Sequence, residues 1–153
     1  MRAVTPLFVF LGLVAVAAFF GSNFTPGEWY QALQRPALAP PNWIFGPVWT
    51  LLYLAIAVAA FLVWRRPERS GRALALVLWG TQLALNALWS YLFFGLERPG
   101  LALIEIVVLL GVIVATTVVF FSVRKSAGML FVPYALWVSF ATYLNAGFWY
   151  LNR

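Results

Sequence analysis

Charge divides this chain into five long apolar runs. Residues 3–27, 36–64, 73–96 and 126–152 carry no charge at all, and residues 99–123 carry only Glu105. A helix needs about 20 mostly apolar residues to cross a bilayer. Lipid offers the backbone no hydrogen-bond partners, so a spanning segment without strand alternation must be helical. Each run is long enough to cross once and too short to cross twice. The expected fold is therefore all-α, an integral membrane bundle of five transmembrane helices. It occupies residues 1–153 as a single domain, with approximate spans 4–22, 44–64, 73–96, 101–123 and 127–151. Composition agrees, with 64% hydrophobic and 9% charged residues against about 25% charged in a soluble domain.

What is missing from the sequence narrows the chemistry. There is no Cys and no His. That removes disulfides, thiol catalysis, Cys/His zinc sites, His-assisted nucleophiles and covalent c-type haem attachment. No catalytic residue, metal site or cofactor is expected. The net charge of +6 does not make a nucleic-acid face, because the cations lie between apolar runs. The first run has Arg2 and an Ala15-Val16-Ala17 stretch that imitates a signal peptide, but it continues through Ala18, Phe19 and Phe20, which is long for that role. It is expected to remain as a helix.

Five spans put the chain ends on opposite sides. Arg2, Arg65, Arg66, Arg69, Arg72, Arg124 and Lys125 fall on one side, and Arg35, Arg98 and Arg153 on the other. The positive-inside rule then places the N-terminus in the cytoplasm if the membrane is an inner one. The longest connection, NFTPGEWYQALQRPALAPPN, holds four of the nine prolines together with Trp29 and Tyr30. A connection of this length in a tight bundle is usually functional or disordered. Its rings and prolines favour a packed cap, so residues 23–43 are expected to form a lid, with a short helix over 28–33.

Helical rise places several unusual residues at one depth beneath that lid. Trp49 lies about 7 Å and Tyr53 about 13 Å below the loop-side end of the second span. Asn86 and Trp89 of the third span lie at about 15 and 10 Å, and Asn145 and Ala141 of the fifth at about 12 and 18 Å. Trp49 and Tyr53 share a helix face, as do Gln82, Asn86, Trp89 and Phe93, and Trp137, Ala141, Leu144, Asn145 and Phe148. Amides facing lipid are costly, so these faces should turn inward. They would wall an apolar cavity with a few polar groups, the usual make-up of a small-molecule site. Interfacial belts and cross-helix bonding account for many such residues elsewhere. Trp29, Trp43, Trp64, Trp79 and Trp149 lie near span ends and are expected to be belt residues. Glu105 is the only acid within a span and is expected to snorkel or pair locally.

Three segments carry a resemblance. WYQALQRPALAPPNWIFGPVWTLLY, NALWSYLFF and VPYALWVSFATYLN together are similar to the signature of the translocator protein family, also called tryptophan-rich sensory proteins or peripheral-type benzodiazepine receptors. The likeness covers nearly the whole chain. It implies a five-helix bundle that binds tetrapyrroles, chiefly protoporphyrin IX, along with sterols and synthetic ligands. Carried over by motif position, the ligand-binding residues are Tyr30, Pro40, Phe45, Trp49, Tyr53, Asn86, Trp89, Trp137, Ala141, Leu144 and Asn145. Where the family often has a second loop tryptophan, this chain has Leu38 or Ala39. Leu144, Tyr150 and Arg153 fit the loose sterol pattern, which is weak by itself.

The resulting expectation is a protein that binds porphyrins for transport, sensing or regulation of their levels. Haem would find no His or Cys ligand and would have to stack or use a Tyr. Two alternatives stand beside it. One is light- and oxygen-dependent porphyrin degradation, for which no acid–base pair is visible. The other is a sterol or lipophile transporter, although no inverted repeat or broken midplane helix is visible. A homodimer is expected through Gly80, Ala84 and Ala87, since small residues let helices approach closely in lipid. The location is an inner membrane by default, with an outer membrane allowed by the resemblance.

Overall fold

The computed structural model describes residues 3–153, so Arg2 lies outside the described residues. Six α-helices follow in order: α1 (Thr5–Ser22), α2 (Glu28–Ala32), α3 (Phe45–Trp64), α4 (Arg72–Ser90), α5 (Pro99–Val123) and α6 (Lys125–Leu151). A 3₁₀ turn, Asn42–Ile44, leads into α3, and a π turn, Tyr91–Gly95, extends α4. Five of these elements are long and apolar enough to cross a membrane. The chain is a multi-pass membrane protein. The short α2 lies in the first connection, within the stretch expected to be helical.

Local sequence explains the ends. Pro6 and Pro99 sit in the first turns of α1 and α5, where an N–H would lack a helical partner anyway. Gly71 opens α4 at φ 86°, a left-handed conformation that costs glycine little. A single extended residue, Arg124, joins α5 to α6. So abrupt a reversal brings the two helices close together, and any side chain at Gly128 would collide with the Phe121 ring. α5 and α6 form the most extensive helix pair in the bundle.

The bundle is apolar outside and holds its polar residues within. Val16, Phe19, Leu51 and Ile104 are exposed, whereas Gln82, Asn86, Thr116 and Asn145 are buried. This is the distribution that lipid as a solvent demands. Thr116 and Thr117 each return a hydrogen bond to the carbonyl four residues back. Trp79 differs from the belt expectation. It is buried, its indole N–H donates to the Ile56 carbonyl at 2.9 Å, and Phe10 meets its ring edge-on. Span position alone could not reveal this, because the site is created by α1 and α3 crossing α4.

The long first connection and the C-terminus meet at one end of the bundle. The Gln34 backbone N–H donates to Asn152 Oδ1 at 2.8 Å, and Asn152 Nδ2 donates to the Gln34 carbonyl at 2.9 Å. Gly71, before α4, approaches Val123 at the close of α5 at the other end. The lysine and arginine clusters at 65–72 and 124–125 therefore lie opposite the long connection.

A candidate ligand cavity beneath the first connection

A cavity of about 530 Å³ opens under the first connection. The rings that wall it arrive from separate elements: Trp49 and Tyr53 from α3, Trp89 and Phe93 from α4 and its π turn, Trp137 and Phe148 from α6, and Tyr30 from α2 above. A four-residue step sets Trp49 with Tyr53 and Trp89 with Phe93 on one helix face, and about three full turns do the same for Trp137 and Phe148. The Trp49 and Tyr53 rings lie 5.4 Å apart, and Trp89 stacks on Phe93 at 5.1 Å. The π turn adds an extra residue to one helical turn, and π turns often mark functional sites. Here it closes with a 2.8 Å bond from the Leu96 N–H to the Tyr91 carbonyl. It leaves Phe93 buried and Phe94 half-buried, both on the cavity wall.

The amides do a different job from the one their position suggests. Tyr53 donates its hydroxyl to Asn86 Oδ1 at 3.1 Å, and Asn86 Nδ2 donates to the Tyr134 hydroxyl at 2.7 Å. Tyr134 in turn donates to Gln82 Oε1 at 2.7 Å. This chain joins α3, α4 and α6 below the cavity. A second link runs from the Trp89 indole N–H to Asn145 Oδ1 at 2.9 Å, and from Asn145 Nδ2 to the Pro99 carbonyl at 2.8 Å. Asn86 and Asn145 thus fix the walls. By donor and acceptor count, each amide retains one further hydrogen and one further lone pair for a ligand.

Other buried polar atoms have no hydrogen-bond partner: Gln82 Nε2, Trp137 Nε1 and both carboxyl oxygens of Glu105. Glu105 is 8% exposed. It neither snorkels nor pairs, contrary to expectation, because it lies on the same inward face of α5 as Ala102 and Leu109 and no span supplies a cation. Among the described residues the ion pair is Arg66–Glu68, at 3.6 Å on the surface.

The roof is tied down on the α6 side. Besides the reciprocal Gln34–Asn152 bonds, the Tyr143 hydroxyl donates to the Ala37 carbonyl at 2.7 Å. Pro36 lies over Gly147, where an added Cβ would come within 2.5 Å of the Pro36 ring. Arg35 bonds Asn42 at 2.8 Å and lies over the Tyr30 ring.

The cavity brings together Tyr30, Phe45, Trp49, Tyr53, Asn86, Trp89, Trp137, Ala141, Leu144 and Asn145. Pro40 is half-buried in the connection and does not line it. The chain turns at 36–39 with Leu38 at φ 71°, which throws Leu38 out to 80% exposure and tucks Ala39 against the roof cluster. Pro40 follows that turn. Sequence reasoning missed the contributions of α1 and α5. Ala18, Ser22, Ile106 and Leu109 line the cavity, and none is aromatic or an amide, so nothing in residue type set them apart. Helical spacing of Ala18 with Ser22 is the one signal available.

The fold and cavity define a class: a five-span membrane protein with an aromatic-walled pocket near one membrane face. The chain belongs to the TspO/MBR family, whose model matches residues 8–151. It is 40% identical over 158 aligned positions to the tryptophan-rich protein TspO of Chlorobaculum tepidum, covering 99% of this chain and 98% of that one. It is 39% identical to the protein CrtK of Rhodobacter capsulatus, covering 94% and 91%. It is also 39% identical to the translocator protein of Homo sapiens, covering 91% and 85%.

Proposed function

We propose that this protein binds a tetrapyrrole, metal-free protoporphyrin IX above all, in the cavity beneath the first connection. It would serve the transport, sensing or regulation of porphyrin levels, with residues 23–43 as the lid. The observation that carries this reading is the convergence of Trp49, Trp89 and Trp137 from three helices on one cavity. A flat macrocycle suits stacking and edge contacts with such rings, and a volume near 530 Å³ falls within the usual range of ligand pockets. Family membership supports the same reading. A chain without His or Cys favours a ligand that needs no axial partner; haem would bind by stacking or through a tyrosine. Sterols and synthetic ligands fit the same apolar walls. The proposed setting is an inner membrane with the lid in the periplasm, and the proposed assembly is a homodimer.

The test is a protoporphyrin IX titration of purified protein, read by quenching of tryptophan fluorescence. An aromatic contact contributes about 1 kcal/mol beyond buried area, or about fivefold in affinity. Trp49→Ala and Trp137→Ala are each expected to weaken binding at least that much. Trp64→Ala, at the far interface, is expected to leave binding unchanged. Equal affinity in all three folded variants would remove the assignment. Illumination of the complex tests degradation: products formed by the complex in light, and absent both in the dark and from free protoporphyrin IX in light, would make the protein an enzyme.

A further inference from the structure

α1 is held along only part of its length. Its buried residues are Phe10, Val14 and Ala17, and Phe10 meets the rings of Trp64 and Trp79. Beyond Ala17 none of its residues is buried. This last part leans toward α4. Gly21 faces Ser90, Phe24 meets the Tyr91 ring at 5.3 Å, and Gly95 lies beneath Phe24. α1 also packs against α3, but past Ala17 the small cavity-lining residues of these two helices are largely exposed and border a slot.

The borders of that slot are small residues one turn apart. Ala18 and Ser22 stand on α1, Gly46 and Thr50 on α3, and all four also line the cavity. Ser22, Gly46 and Thr50 are exposed, whereas the opposite wall at Asn86, Phe93, Leu144 and Asn145 is buried. A Cβ added at Gly46 would meet nothing within 4 Å. The slot hydroxyls do not require water. Ser22 Oγ donates to the Phe19 carbonyl at 2.6 Å, and Thr50 Oγ1 to the Gly46 carbonyl at 2.8 Å. Hydroxyls bonded back to their own helix are tolerated beside lipid. Ala18 and Thr50 lie about 6–9 Å below the helix ends, within a leaflet whose hydrocarbon half is about 15 Å deep. Next to the slot, Phe19 and Leu51 present exposed apolar surface.

We infer that this slot is a lateral portal. The ligand passes between the cavity and the adjoining leaflet through the gap between α1 and α3, and the latched roof stays closed. The class of ligand admitted is a flat amphiphile already dissolved in the membrane. This rests on the tetrapyrrole reading and adds the route.

A portal governs rates, whereas the cavity governs affinity, and that difference supplies the test. The chain has no native Cys, so Gly46→Cys can be labelled after folding with a bulky maleimide. Stopped-flow quenching by protoporphyrin IX in phosphatidylcholine vesicles then gives association and dissociation rates. The plugged protein is expected to lose at least tenfold in both, with Kd changed by less than threefold. Unlabelled Gly46→Cys is the reference for these rates and for Kd, so any effect of the substitution itself cancels. Thr50→Cys, one turn further along, serves in the same way if Gly46→Cys does not fold. Asn152→Ala, which loosens the roof, is expected to leave both rates within twofold. Unchanged rates in the plugged protein, or acceleration by Asn152→Ala with no effect of the plug, would overturn the portal and leave the binding reading standing. Absence of saturable quenching in the unmodified protein would instead strike the tetrapyrrole reading and take the portal's ligand with it.

Discussion

Replacing Tyr134 by Phe isolates one oxygen at the centre of the bundle. The Tyr134 side chain is fully buried. Its hydroxyl accepts from Asn86 Nδ2 and donates to Gln82 Oε1, both at 2.7 Å. Phe fits the same space, so no cavity term arises and packing against Phe131 is kept. Asn86 would retain only its bond from Tyr53, and Gln82, whose Nε2 already lacks a partner, would have none. In water-soluble proteins an orphaned buried group costs about 1–3 kcal/mol. Within membrane bundles the average bond contributes about 0.6 kcal/mol and the largest about 1.7. The lower scale applies here, because the unfolded reference also lies in lipid or detergent. Two bonds lost together, at about 1 kcal/mol each, between the average and the largest, then cost about 2 kcal/mol. That is about a 30-fold shift in the unfolding equilibrium. Reversible unfolding by SDS in mixed micelles, followed by circular dichroism, measures it. Tyr134→Phe with Gln82→Met removes the acceptor together with its donor and is expected to recover about half of the loss, since deleting both partners is less costly than deleting one. A single variant within 0.5 kcal/mol of the parent, about the error of such comparisons, or a double variant whose loss is the plain sum, would refute the reasoning.

Three further outcomes follow from the same geometry. Gly147→Val is expected to lift Pro36 off α6 and raise amide hydrogen exchange across 34–39 at least tenfold, with α5 unchanged; equal exchange would mean that the latch tolerates a side chain there. Gly80, whose added Cβ would meet nothing within 4 Å, lies with Ala84 on an exposed face of α4, so Gly80→Leu is expected to lower the dimer fraction on crosslinking in bilayers without altering the monomer's fold. An unchanged fraction would assign that face to lipid. Cysteines introduced at Leu38 and at Glu68 are expected to label from opposite sides of the membrane, and labelling from one side would mean that α3, the one span between them, does not cross.

The spans and the inward faces were legible in the sequence. Lipid cannot satisfy a charge or an unpaired peptide group, so the intervals between charges mark the crossings, and Asn86 and Asn145 mark the inward faces of their helices. The same logic marked several of the residues that wall the cavity, because a ring three, seven or eight residues from an inward amide shares its helix face, as Trp89 and Phe93 do with Asn86 and as Phe148 and Trp137 do with Asn145. It stopped where a residue's role depends on a neighbour distant in the chain. Trp79 reads as an interfacial ring until α1 and α3 cross over it. Pro40 reads as part of the cavity wall, yet after the left-handed turn at Leu38 it stays in the lid without lining the cavity. Only the tertiary structure decided that the asparagines hold walls together, that Glu105 is buried without a partner, and that α1 leaves a slot beside α3. The physical reason is range. Hydropathy and helical period act within one helix, whereas hydrogen-bond partners and gaps are set by how helices separated by many residues come to rest against one another.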